Sequence, residues 1–224
     1  AGAQYLVGWG WIGSLTNVSQ DDGYWVKVSE DTTLELINCE PVNYDADGIV
    51  IYDIHYGNNL ISYPFDNDQW LEAGLGNAIA DVYALAGEGV AALKIGNSFV
   101  GSLEAFEGGK GYWAKVSESI SFNFLVDDLR SVSNKLEDTG YTYSQSMSQS
   151  FYFIKDVTDG SISVIENGDI LVAYNDDVLV GARMWNGEFS DVPAMGYDGS
   201  AETIGFCNEG DIPTFKLIKS GGEE

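Results

Sequence analysis

The sequence predicts a mostly β chain: α+β repeat modules with β-hairpins and one amphipathic helix, followed by a β-sandwich. Three observations carry that expectation. A stretch of strand–turn–strand character occurs twice, one segment shows three- and four-residue apolar spacing, and the last third is a series of short apolar runs divided by turn residues. Those three patterns are the sequence signatures of a repeat unit, a helix and a compact sandwich, respectively.

The repeat comes first in the chain. Trp11-Ile12-Gly13-Ser14-Leu15 recurs as Phe99-Val100-Gly101-Ser102-Leu103, and Gly23-Tyr24-Trp25-Val26-Lys27-Val28-Ser29-Glu30 as Gly111-Tyr112-Trp113-Ala114-Lys115-Val116-Ser117-Glu118. Ten of 26 positions are identical at a constant offset of 88 residues. In each copy the two apolar runs flank a turn-prone stretch, which reads as a β-hairpin. Strand side chains alternate faces, so Tyr24, Val26 and Val28 fall on one face, the core face, and Trp25 and Lys27 on the other. Tyr112, Ala114 and Val116 stand against Trp113 and Lys115 in the same way. Little of the earlier copy precedes Trp11, so the chain reads as beginning in mid-repeat of a longer parent.

Upstream of the second copy, Ile51 to Tyr56 alternates like a strand, and Asn59 to Pro64 is a strand stopped by proline. Asp66-Asn67-Asp68 supplies a cap, after which Leu71, Leu75, Ala78, Ile79, Val82 and Ala86 predict an amphipathic helix of about four turns near residues 69–86, with Gly74 and Gly76 as weak points. Ala91 to Ile95 is a further strand. Residues 126–150 are rich in serine and glutamine and read as a connector. Strands are then expected at Phe151–Ile154, Ile162–Ile165, Ile170–Tyr174, Val178–Trp185, Thr203–Phe206 and Thr214–Ile218, with hairpin turns at Asn167-Gly168 and Asn186-Gly187. The organisation is therefore a partial unit over 1–38, a full unit over 39–125, the connector over 126–150 and a sandwich over 151–224.

Charge narrows the function. Ten Lys+Arg against 35 Asp+Glu give a net charge of −25, which repels phosphates and argues against nucleic-acid or anionic-membrane partners. No apolar run reaches the 18 residues that a membrane-spanning helix needs. Cys39 and Cys207 lie 168 positions apart, too far for a redox or zinc motif; they are either small buried hydrophobes or a long-range disulfide. His55 is the single histidine and sits in a strand-like run with no nucleophile-elbow motif beside it.

Candidate binding chemistry lies with the aromatic residues. Trp25, Trp113 and Trp185 are possible stacking platforms for sugar rings or a partner protein, with Lys27 and Lys115 as polar neighbours; the alternative is that each Trp packs on the fold with the Lys stem across it. Asp45 with Asp47, Asp66 with Asp68, and Asp176 with Asp177 could offer oxygens to Ca²⁺, although none completes an EF-hand loop. No catalytic carboxylate pair can be singled out among 35 acids, and Asn17-Val18-Ser19 fits the N-glycosylation pattern.

Asn59-Leu60-Ile61-Ser62-Tyr63-Pro64, Gly87-Glu88-Gly89, Val100-Gly101-Ser102-Leu103 and Gly111-Tyr112-Trp113-Ala114-Lys115-Val116 resemble the N-L-I-S-x-P … G-Y-W-x-K-V repeats of large secreted or surface proteins of marine bacteria and of structural proteins of marine tailed phages, including T4-like cyanophages. The last third is similar to a module that accompanies those repeats, through Gly168 to Tyr174, Val180 to Arg183, Val192 to Asp198 and Gly210 to Lys216. The resemblance implies a noncatalytic structural or adhesive protein in a virion (capsid decoration, neck or tail fibre), assembled as a homo-oligomer or with other virion proteins. The alternative is a secreted carbohydrate-binding or cell-surface module of a marine bacterium that takes a surface glycan. Either location is virion or extracellular. No cofactor other than Ca²⁺ is expected, and the resemblance carries no catalytic residues; a hydrolase is a third and weaker reading.

Overall fold

The computed structural model describes residues 2–28, 30, 33, 49–126, 134 and 136–221. The chain is mostly β, in several small antiparallel sheets. It opens with a hairpin of β1 (Ala3–Leu6) and β2 (Gly10–Gly13), in which Tyr5 faces Trp11 edge-on at 5.6 Å between ring centroids. The first copy of the repeat therefore contributes its hairpin one strand earlier than the sequence suggests. Tyr24 to Val28 forms no strand: Asp22 bridges to Ile61, the Gly23 N–H donates to the Leu60 carbonyl, and Val26 and Val28 are exposed instead of lining a core.

The second copy lies inside a larger sheet. After β3 (Tyr52–Ile54) come β4 (Gly57–Ser62), the short β5 (Gln69–Trp70), β6 (Val82–Ala86), β7 (Ala91–Ile95), β8 (Ser98–Gly101), β9 (Ala105–Phe106), β10 (Gly111–Val116) and β11 (Ile120–Phe122). The central sheet runs β4-β10-β6-β7-β8, while β3 pairs β11 and β5 pairs β9. The expected hairpin of the second copy is thus divided: β8 and β10 share a sheet but never touch as partners. Tyr112, Ala114 and Val116 do face the core, with Trp113 half-buried and Lys115 exposed.

The long helix is also corrected. Residues 69–86 hold a five-residue helix α1 (Leu71–Leu75), a 3₁₀ turn (Gly76–Ala80) and then strand β6. Gly76 leaves the helical region with φ +51°, which ends α1. Pairing of β6 with β10 passes over Tyr83, setting Ala84 opposite Lys115 but Val82 opposite Val116. That bulge turns Val82 and Leu85 to the same buried side, three residues apart, so a strand copies the apolar spacing of a helix.

Aromatic side chains build the core beneath this sheet. Tyr52, Tyr63, Phe106, Tyr112, Phe122 and Phe124 meet at centroid distances of 5.0 to 5.4 Å, mostly edge to face, the geometry that ring quadrupoles favour. A second core gathers Leu171, Ala173, Val180, Trp185, Val192, Met195 and Phe206. It lies between β12 (Gln149–Ile154) paired with β17 (Ser190–Met195), and a sheet in which β15 (Ile170–Asn175) is flanked by β16 (Val178–Met184) and β18 (Thr214–Ile218). A small ribbon, β13 (Thr158–Asp159) with β14 (Ile162–Ser163), stands outside.

Strand β17 has no counterpart among the strands expected from sequence, because Asp191 and Pro193 are residues that strands disfavour. Thr203 to Phe206 is a 3₁₀ turn and loop instead of a strand. Asn186-Gly187 does mark the reversal between β16 and β17, but these strands belong to different sheets. They cross so closely at Gly181 that a Cβ there would overlap the Pro193 carbonyl.

Candidate functional site

A cleft of about 360 Å³ lies between the tail of the first repeat copy and the central sheet. Tyr24, Trp25 and Val26 form one wall. Leu60 of β4 with Gly111 and Tyr112 of β10 form the floor, and Glu88, Glu107, Lys110, Asn134 and Leu136 contribute to the rim. The tail is held there by the Gly23–Leu60 backbone bond at 3.0 Å and by a bond from the Ser62 hydroxyl to the Gln20 carbonyl.

Trp25 is the notable member. Its indole N–H is shielded from solvent and has no acceptor among the described residues, an arrangement that costs free energy unless something accepts from it. On the rim, the Lys110 ammonium lies 3.9 Å from Glu88, and the Glu107 carboxylate accepts from the Asn134 backbone and side-chain amides at 2.9 Å each. The Tyr112 hydroxyl accepts from the Glu107 N–H at 2.7 Å, and burial holds its pKa well above the ordinary phenol value.

The other sequence candidates scatter. Trp113 lies across from Leu60 and Ala86 in the sheet, and Lys115 rides over the Tyr83 ring at 5.7 Å, so this pair packs on the fold. Lys27 reaches 3.7 Å from Asp198. Trp185 is buried in the second core and offers no face to a ligand. His55 is exposed, its Nδ1 3.0 Å from the Tyr56 carbonyl.

The acid pairs do not converge. Asp68 accepts from the Gly108 N–H at 3.1 Å, Asp66, Asp176 and Asp177 are exposed, and Asp45, Asp47 and Cys39 lie outside the described residues. Among the described residues no three His, Cys, Asp or Glu side chains gather as a metal would require, and no helix is long and apolar enough to cross a membrane. Cys207 is half-buried against the second core, and burial followed by Asp211 raises its pKa.

One polar cluster escaped sequence reasoning. Asp191 on β17 is almost fully buried and accepts from the Ala91 N–H at 3.1 Å, the Ser102 N–H at 2.7 Å and the Ser102 hydroxyl at 2.7 Å. Arg183 lies 3.3 Å from the same carboxylate and donates to the carbonyls of Asp191 at 2.8 Å and Gly89 at 2.6 Å. Burial pushes the Asp191 pKa up, against the pull of Arg183 and Ser102. The cluster joins the two cores and takes no part in the cleft at Trp25, so it serves as a structural joint. Its one signal in the sequence is an arginine inside an otherwise apolar strand.

No family model, curated protein or solved structure matches the chain.

Proposed function

We propose that the chain is a noncatalytic structural or adhesive component of an extracellular assembly, most specifically of a phage virion. The observation that carries this reading is the repetition of a hairpin without, among the described residues, the repetition of any reactive constellation. Hairpin β1–β2 has the build of β7–β8: Gly13 and Gly101 both close their second strand with positive φ, +149° and +117°. Leu15 and Leu103 then both donate back to the start of the first strand, at Gly2 and Ala91. Modules that repeat in this way add reach and surface, which scaffolds and adhesins use. The resemblance of Asn59 to Pro64 and Gly111 to Val116 to phage and bacterial surface repeats supports the same reading. An antibody against the chain should label purified particles at many sites per particle; recovery of the chain only as a soluble species, absent from every particle or filament, overturns it.

The Trp25 cleft favours a second reading, a glycan-binding module. An indole edge beside carboxylates and a lysine suits a polyol that is apolar on one face and hydroxylated at its rim. Glycan-array binding that Trp25→Ala abolishes, with the near-UV spectrum retained, supports this reading; an array without signal counts against it.

A further inference from the structure

We propose that β1 is an assembly edge, through which two copies of this chain join their β1–β2 hairpins into one antiparallel four-stranded sheet. The inference rests on the multi-copy reading above and names the surface that would serve it. Within the chain, the repeat supplies the template. Strand β7, the counterpart of β1, is paired on both sides, by β8 and by β6. Among the described residues strand β1 is paired by β2 alone, which leaves its other edge without a described partner.

The groups on that edge follow from the ladder. Gly2 accepts from Ser14 at 2.9 Å, and Leu6 accepts from Trp9 at 3.0 Å at the hairpin end. Backbone groups alternate direction along a strand, so those of Gln4 turn toward β2 with those of Gly2 and Leu6, and those of Ala3 and Tyr5 point outward. In the second copy the residue matching Ala3 is Ala92, which lies opposite Leu85 of β6. An antiparallel strand is therefore what this edge is shaped to accept, and the β1 edge of another molecule is one.

Side chains and charge select the partner. Tyr5, Leu6, Val7, Trp9, Trp11 and Ile12 are all exposed, Val7 at 92% and Trp9 at 82%. The first twenty residues carry no charged side chain, in a chain of net charge −25. Two such molecules repel over most of their surfaces, and an arm that carries none of the acids is where they can meet. The pairing is isologous, each β1 facing the other across a two-fold axis. Four residues a side make a small interface, so the dimer is weak in isolation, with a Kd on the order of tens of micromolar, and gains strength only in an array.

Sedimentation of the full chain over a concentration series, at low and at high NaCl, tests this. The expected result is reversible dimerisation that tightens several-fold as salt screens the mutual repulsion. Ala3→Pro removes the outward N–H at the first residue of the strand, where the hairpin tolerates proline, and Tyr5→Asp sets two carboxylates across the axis; each should leave a monomer with an unchanged far-UV spectrum. Ile162→Asp, at an exposed site elsewhere, should dimerise as the parent does. A monomer under all conditions overturns the proposal, as does a dimer that ignores both arm variants or one that salt weakens. Transfer of a monomer to phosphatidylcholine vesicles, with a Trp9 fluorescence shift, overturns it in favour of a lipid surface. Any of these failures leaves the particle-labelling test standing, since other surfaces could still assemble the protein.

Discussion

At the scale of single residues, Asp191 has the largest consequences. Its removal in Asp191→Ala would leave the Arg183 guanidinium buried without its carboxylate and two backbone N–H groups without an acceptor, a loss of about 3–5 kcal/mol. Urea denaturation should show that cost, and a double variant Arg183→Met with Asp191→Leu should recover much of it; strictly additive losses would deny the coupling. The carboxylates also set opposite pH trends. The Asp191 pKa is raised in the fold, so the unfolded chain releases this proton first: its contribution is complete below 3.8, the ordinary value, and declines as pH rises through the folded value. Asp198 runs the other way, because hydrogen bonds from the Ser200 and then the Thr203 hydroxyl hold it well below the carboxylate range. Its contribution is present above 3.8 and is lost as pH falls toward the folded value. Asp198→Asn should therefore flatten the acid limb of a stability profile, whereas the deficit of Asp191→Asn should shrink as pH rises. Neither role is legible in the sequence, where both residues are two acids among 35; a carboxylate acquires its pKa from neighbours that only the fold supplies.

Elements built from nearly the same words meet different fates. Gly111 to Val116 becomes the second strand of a five-stranded sheet because β4 and β6 flank it. Among the described residues Gly23 to Val28 is not flanked in this way; it touches β4 at its start alone and contributes little more than the Gly23 N–H to the backbone ladder. Strand formation depends on partners more than on intrinsic preference, so a repeat in sequence need not be a repeat in pairing. Amide hydrogen exchange should separate the copies: strong protection over 112–116 and near-absence of it over 24–28, equal protection being the result that contradicts this account. Glycine supplies a parallel contrast. Gly101→Ala drives a Cβ toward the Ala91 carbonyl and the Phe153 ring at positive φ, inside the molecule, and should cost more than about 2 kcal/mol. Gly13→Ala meets only the Gly2 and Ala3 backbone of an exposed hairpin, so the melting temperature should barely move. The sequence located β4, β7, β15, β16 and β18 because their apolar runs are short and bounded by turns. It mistook β6 for helix because a bulge at Tyr83 imitates helical spacing, and it passed over β17 because Pro193 sits in it.

Across the whole molecule, composition correctly indicated a folded acidic chain, while the arrangement of its two cores was invisible. The joint draws on Gly89, Ala91, Ser102, Arg183 and Asp191, with one bonded pair, Ala91 and Asp191, 100 positions apart. It is seconded by the Gln149 amide on the Gly87 carbonyl at 3.0 Å. No local pattern announces contacts of that range. Its energetic weight follows from the separateness of the cores, each of which packs mainly on itself. Two such bodies melt together only if the contact between them is worth more than the difference in their own stabilities. A buried, charge-assisted cluster is worth several kcal/mol when one partner is withdrawn, comparable with the total stability of roughly 5–15 kcal/mol that is typical of a domain. The parent chain should accordingly show one calorimetric transition. Asp191→Ala should split it in two, the aromatic core and the sandwich core melting apart. A single transition displaced downward would mean that the cores are coupled by apolar contacts such as Phe153 against Gly101, with the carboxylate a bystander. Added salt should raise both transitions alike, because a net charge of −25 repels itself throughout the folded surface, whereas the gap between them should not close, since a joint sealed from solvent lies beyond the reach of screening.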